Sequence, residues 1–148
     1  MTEFKIRKLQ IEDLSNGFFE TLENLSPVGK IDSERAKKIF ERINQSPEYH
    51  IVVALNENGK VVGAGTLLIE QKFIRSFGKA GHIEDIVTRK GWEGKGIGSV
   101  IMNALEEEAR RQGCYKLVLT TRSEKVAEWY KKFGYYVRGS ELRKDLNI

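Results

Sequence analysis

The sequence predicts a single mixed α+β domain, and three observations carry that prediction. Its 148 residues suit one ordinary domain, long enough to bury a sizeable core. Apolar spacing alternates between the period of a strand and that of a helix along the chain. Turn residues separate these segments, with no repeat, low-complexity stretch or long linker over residues 1–148.

Each element follows from its local pattern. "EFKIRKL" alternates like a strand. "IEDLSNGFFETLENL" puts Leu14, Phe18, Leu22 and Leu25 at helical spacing and stops before Pro27. "DSERAKKIFERI" places Ala36, Ile39, Phe40 and Ile43 on one helix face, with Asp32 or Ser33 as the cap. "YHIVVALN" and "KVVGAGTLLIE" form a hairpin about Asn58-Gly59, and "GHIEDIVT" adds a strand. Val100, Ile101, Ala104, Leu105 and Ala109 mark a helix that ends before Gly113. "YKLVLTT" reads as a strand buried on both faces. "EKVAEWYKKFG" is a short helix closed by Gly134, and "YYVRG" and "ELRKDL" read as final strands. The sum is a mixed, mostly antiparallel sheet flanked by helices.

Composition narrows the function. A net charge of +4 with no basic run of five argues against nucleic acid and suits small anions. One cysteine, Cys114, makes no internal disulfide, which suggests a reducing, cytoplasmic setting with an organelle still open. One cysteine and the separated His50 and His82 provide no zinc spacing, so no metal is expected. No apolar run is long enough to span a bilayer, so no membrane partner is expected.

The most informative stretch is "WEGKGIGS", with Gly94, Gly96 and Gly98 at alternate positions before a helix. It is not a Walker A loop, because Lys95 precedes Gly96 and no Gly-Lys-Ser/Thr follows. Nor is it the dinucleotide G-x-G-x-x-G, because Ser99 stands where the last glycine belongs. Missing Cβ atoms and free N–H groups at a helix start still favour a phosphate. A plain strand-to-helix turn using glycine for geometry is the alternative.

"EGKGIG" resembles the phosphate-cradling [R/Q]-x-x-G-x-[G/A] of the GNAT superfamily of N-acetyltransferases, with Glu93 in the Arg/Gln place. "FFETLENLSPVGKI", "IEQKFIRSFGKAGHIEDI", "GHIEDIV", "GCYKLVL" and "WYKKFGY" together resemble the glucosamine-6-phosphate N-acetyltransferases. The likeness covers nearly the whole chain. It implies the acyl-CoA N-acyltransferase fold, acetyl-CoA as co-substrate, an amino-sugar phosphate as acceptor, and a homodimer sharing its sites.

The resemblance assigns roles residue by residue. Glu93, Gly94, Lys95, Gly96, Ile97, Gly98 and Ser99 would hold the pyrophosphate, and Lys132 a coenzyme phosphate. The backbone of Ile86, Val87 and Thr88 would pair with the pantetheine arm and polarise the thioester carbonyl. Glu84 and Asp85 would meet the sugar and place its amine. As strand neighbours they point to opposite faces, so a bulge must release both to a cleft; an edge strand or structural ion pair is the alternative. Tyr130 would protonate the departing thiolate, whereas its helical spacing from Val126 and Phe133 also suits a core aromatic.

Ser26 matches a hydroxyl near the sugar phosphate, and Lys72, Phe73, Ile74 and Arg75 a segment that wraps the sugar from the partner subunit. Arg143 and Lys144 match a basic position for the 6-phosphate. Thr120 lies where the family has an acid touching sugar, and Val126 replaces a coenzyme-contacting asparagine. Two rival functions remain: an N-acetyltransferase for a protein or polyamine, and a non-catalytic CoA-binding regulator.

Overall fold

The computed structural model describes residues 4–147. These form two compact units, one ending at Val118 and one beginning at Leu119. The first holds β1 (Lys5–Lys8), α1 (Phe18–Leu22), α2 (Ser33–Gln45), β2 (Tyr49–Leu55), β3 (Val61–Gln71), α3 (Ile74–Phe77), β4 (Lys79–Thr88), α4 (Ile97–Arg111) and β5 (Cys114–Val118). The strands make one five-stranded sheet in the order β1-β2-β3-β4-β5. The first three pairings are antiparallel and β4–β5 is parallel, as the mixed, mostly antiparallel expectation requires.

The sheet carries helices on both faces. On one, Phe18 of α1 packs with Leu9, Val53, Leu55, Val61, Ala64 and Val87. On the other, Ile97, Ile101, Met102 and Leu105 of α4 are buried. The strand alternation produces this division, because Ala54 lies between Val53 and Leu55 and its Cβ faces the α4 side near Gly63. α4 approaches closely because β3 offers Gly63 and Gly65 beneath it. A Cβ on Gly65 would lie 2.6 Å from both Ile101 Cγ2 and Ile86 Cδ1.

Three sequence expectations need correction. The first predicted helix is broken into a 3-10 turn at Ile11–Ser15 and the short α1. Gly17 separates them at φ 97°, where a Cβ would meet Val61 O at 2.8 Å. The break lets Asn16 O accept from Val61 N at 3.1 Å and Thr21 Oγ1 donate to Val61 O at 3.0 Å. These bonds tie the segment to β3, which an unbroken helix would not do. The turn is also held by buried Asp13, which accepts from both Arg7 terminal nitrogens at 2.7 and 2.9 Å.

Next, β5 is a sheet edge of five residues and is not buried on both faces; Tyr115 and Lys116 are exposed. An edge strand has one partner, here β4, so half its surroundings are open. Finally, residues 135–147 of the second unit form no strand among the described residues. Tyr136, Val137, Leu142 and Leu146 are exposed; an alternating pattern becomes a strand only through ladder pairing, which these residues do not show among the described ones. That unit's helix, α5 (Glu124–Lys131), is capped by Ser123 Oγ, which accepts from Val126 N at 3.3 Å. Asp32 caps α2, accepting from Glu34 N and Arg35 N.

Gly65→Ala is expected to destabilise the fold by about 1–3 kcal/mol, the usual cost of overpacking a close helix–sheet contact. Thermal melting checks this, and an unchanged melting temperature would mean that α4 yields freely.

Candidate active site

β4 is where the site begins. Its antiparallel register with β3 pairs Ala64 with Val87 and Thr66 with Glu84, so Gly65 opposes two residues, Asp85 and Ile86. That is a β-bulge, and Asp85 at its centre takes φ 52°. A left-handed backbone costs an L-residue roughly 1–2 kcal/mol, though Asp tolerates it better than most. The result is that Glu84 and Asp85 are both exposed while Val87 is buried. The bulge required to free both carboxylates is therefore present.

The same strand has an open edge. β5 pairs with β4 only at Lys79–His82, and no further β4–β5 pairing extends along Ile83–Thr88 among the described residues. On that side the backbone N–H and C=O groups not paired with β3 are open to an extended ligand, as a sheet edge offers them to an added strand, except Thr88 O, which accepts from a side chain.

β4 leads into the glycine loop. Gly94 and Gly96 adopt φ 77° and 83°, and nothing lies within 4 Å of a Cβ built on either. Gly96 is the N-cap of the 15-residue α4, and its carbonyl accepts from Val100 N at 3.2 Å. The N–H groups of Ile97, Gly98 and Ser99 form the first helical turn, where no intrahelical acceptor exists. Lys95 Nζ lies 5.6 Å from the Trp92 ring centroid, adding a cation to the loop. An open glycine backbone, free N–H groups and a lysine fit a polyphosphate.

Glu93 is the unusual member of this loop. Its Oε1 accepts from Asn24 Nδ2 at 3.1 Å and its Oε2 from Gly91 N at 2.8 Å. Backbone hydrogen bonding, chiefly at Glu93 itself and at Gly91, holds its carboxyl below the ordinary range. Asn24 Nδ2 also donates to Thr88 O, the last carbonyl of β4, at 2.7 Å. Sequence reasoning missed Asn24, and no local signal marks it, since its partners lie 64 and 69 positions away.

The remaining residues fall into groups. Ser26 is exposed in the loop after α1. Lys72 Nζ donates to Glu70 Oε2 at 3.1 Å, and His82 Nε2 pairs with Glu70 Oε1 at 3.0 Å. These partners, His82 first, hold the Glu70 carboxyl low. Arg75 stacks its guanidinium 5.0 Å from the Tyr115 ring centroid. At the tip, Phe73, Ile74 and Phe77 are 89%, 65% and 72% exposed. Burial pushes the Cys114 thiol up, which makes it a poor nucleophile.

In the second unit, Tyr130 is buried, with its ring 4.9 Å from Trp129 and 6.0 Å from Tyr135 between centroids. Burial raises its pKa, so the phenol keeps its proton through neutral pH. Lys132 is the exposed C-cap of α5, Thr120 is exposed, and Arg143 Nε donates to Asp145 Oδ1 at 2.7 Å beside exposed Lys144. Among the described residues no cluster of metal-ligating side chains occurs, and no helix is long and apolar enough to cross a membrane.

An open strand edge leads into a glycine-lined helix start, with two exposed carboxylates on the same strand, an arrangement that suits an extended ligand with an anionic end. The profile of the acetyltransferase (GNAT) family matches residues 10–135, and the chain belongs to that family. Its relatives make the likeness more specific. It is 36% identical to the glucosamine 6-phosphate N-acetyltransferase of Arabidopsis thaliana, over 95% of each chain. It is 37% identical to the enzyme of the same name from Candida albicans, over 94% of this chain and 93% of that one. The crystal structure of the Arabidopsis thaliana protein superposes with a TM-score of 0.93 at 35% identity, covering 98% of this chain and 99% of that one. An acetyltransferase from Trypanosoma brucei gives 0.90 at 30% identity, covering 97% and 100%.

Asp85→Gly separates backbone from chemistry. Glycine accepts the bulge's positive φ but loses about 0.5–1 kcal/mol of backbone entropy, so the two terms nearly offset. The melting temperature should change little while acetyl transfer falls. Asp85→Val, with a branched side chain at the same φ, should lower the melting temperature clearly. Equal melting of the two variants would contradict a strained bulge.

Proposed function

We propose that this protein transfers the acetyl group of acetyl-CoA to the 2-amino group of D-glucosamine 6-phosphate. The products are CoA and N-acetyl-D-glucosamine 6-phosphate, a step toward UDP-N-acetylglucosamine. The observation that carries this reading is the bulge in β4, which frees Glu84 and Asp85 on a strand with an open edge. Relatives matched over nearly the whole chain bear that enzyme name. The family match crosses from the first unit into the second, which supports one N-acetyltransferase domain over residues 1–148.

When bound, acetyl-CoA supplies the acetyl group as an activated thioester. The N–H groups at Ile97, Gly98 and Ser99, with Lys95, hold its pyrophosphate, and Lys132 a further phosphate. The backbone of Ile86–Thr88 aligns the pantetheine arm and donates to the carbonyl oxygen as negative charge develops there. Glu84 and Asp85 attract the sugar ammonium, orient it and accept its proton. Tyr130 donates the phenolic proton to the departing sulfur. By the family resemblance, Ser26, Thr120, Arg143 and Lys144 are assigned to contacts with the sugar and its phosphate. Lone Cys114 suits a reducing, cytoplasmic setting.

The active form is a homodimer in which Lys72, Phe73, Ile74 and Arg75 complete the partner's sugar site. Three side chains support this by their exposure: Phe73, Ile74 and Phe77 form an apolar tip. The backbone adds to it, because Arg75, Ser76 and Phe77 have φ of 60°, 55° and 62°. Consecutive left-handed residues persist only where surroundings hold them.

A thiol-release assay with acetyl-CoA tests the substrate. Glucosamine 6-phosphate should exceed glucosamine in kcat/KM by about ten- to a hundredfold, the effect of a charge-assisted contact. Equal values, or a preference for peptide amines or polyamines, would overturn the assignment.

Tyr130→Phe should lower kcat by about 10²–10⁴-fold while CoA affinity changes far less. The sign of the pH effect follows from the raised pKa. The native state keeps the phenolic proton to higher pH than the unfolded chain, so stability falls as pH rises above the ordinary tyrosine value. Wild-type activity should show an alkaline limb above that value, absent from Tyr130→Phe. Wild-type turnover by the variant would leave Tyr130 as a packing residue.

Mixing tests the shared site. Glu84→Ala and Arg75→Ala chains, each inactive alone, should regain part of the activity after subunit exchange, because one mixed site is free of both lesions. No recovery despite proven exchange would overturn it.

A further inference from the structure

We propose that Asn24 and Glu93 form a positioning clamp that holds the coenzyme loop in its binding shape against the end of β4. The proposal rests on the coenzyme reading above and adds a role for two residues within it.

The clamp is built from three hydrogen bonds. The amide nitrogen of Asn24 carries two protons and uses both, one toward Thr88 O at 2.7 Å and one toward Glu93 Oε1 at 3.1 Å. The other Glu93 oxygen accepts from Gly91 N at 2.8 Å. Thr88 ends β4, Gly91 and Glu93 open the glycine loop, and Asn24 follows α1. One side chain therefore joins the strand expected to align pantetheine to the loop expected to hold pyrophosphate.

The arrangement accounts for an acid at the head of an anion site. Two opposite effects meet at Glu93. Its charge repels a polyphosphate, but the group is exposed and screened over about 8–10 Å at physiological salt. Its hydrogen bonds restrain a loop in which Gly91, Gly94 and Gly96 all have positive φ, adding to the turn bond from Trp92 N to Arg89 O at 2.9 Å. A loop ordered before binding spares the ligand the entropy of ordering it. Both oxygens are engaged by Asn24 and Gly91, and the first-turn N–H groups of α4 have no hydrogen bond to Glu93 among the described residues. The brace leaves those donors to the ligand. We therefore expect preorganisation to outweigh repulsion.

The two effects predict opposite signs, which makes the test decisive. CoA itself is titrated calorimetrically into wild type, Asn24→Ala, Glu93→Ala, Glu93→Gln and Asn24→Ala/Glu93→Ala, at low and physiological salt. Acetyl-CoA KM, kcat and melting temperature are measured beside it. Asn24→Ala and Glu93→Ala should each weaken CoA by about three- to tenfold. The double variant should be no weaker than the worse single, because both remove the same clamp. Glu93→Gln keeps one acceptor oxygen and should fall between wild type and Glu93→Ala. The acetyl-CoA KM should rise more than kcat falls. Tighter CoA binding by Glu93→Ala or Glu93→Gln would overturn the clamp in favour of repulsion. So would additive losses, or losses that only track melting temperature. Failure of wild type to bind CoA would instead refute the coenzyme reading, and the clamp with it.

Discussion

Gly65 faces two residues of β4 where a regular ladder would give it one, and the course of β4 follows from that mismatch. The extra residue turns Asp85 into a left-handed conformation and brings Glu84 and Asp85 together on the surface. Gly65 can sit there because it lacks a side chain. The space a Cβ would fill belongs to Ile86 and to Ile101 of α4. One glycine thus permits both the bulge and the close seating of the helix that follows the glycine loop.

That seating connects the sheet to the chemistry. Ile97 and Ile101 are fully buried against β3, so the start of α4 is anchored while the loop before it remains open. An anion at this helix start meets N–H groups already oriented by a packed element. The loop gains its own restraint from Asn24 and Glu93, which join it to the end of β4. Core packing and a few polar contacts share the work of preorganisation.

The tip at Ile74–Phe77 is built on another principle. Gln71 Nε2 donates to Phe77 O at 2.8 Å, and Lys72 N donates to Gly78 O at 2.8 Å, closing the base of the excursion. Its apolar side chains nevertheless point into solvent within this chain. Local hydrogen bonds hold the backbone, while Phe73 and Phe77 contact each other edge to face with ring centroids 6.4 Å apart and gain little burial within this chain. The basic residues nearby are also engaged within the chain, Lys72 by Glu70 and Arg75 by Tyr115. Any charge they bring to a phosphate is weighed against those contacts.

Much was legible from the residues alone. The alternation of "YHIVVAL" and "GHIEDIVT", the Asn58-Gly59 turn and the glycine-led helix each carry a local signal with a fixed period or a required backbone shape. The adjacency of Glu84 and Asp85 in an apolar run pointed to a bulge, with an edge strand or structural ion pair as the alternative, and the bulge is present. Local pattern misled where a distant partner decides the outcome. Gly17 breaks a helical stretch because β3 passes beside it, β5 is half-exposed because it is an edge, and residues 135–147 show no strand pairing among the described residues. The contacts of Asn24 carry no local signal because its partners lie far along the chain. Periodicity and turn chemistry act over a few residues, so the sequence by itself determined most of the strands and helices and the glycine-rich start of α4. Which strand pairs, which edge stays open and which polar groups meet are set by contacts between distant segments, and only the tertiary structure decided them.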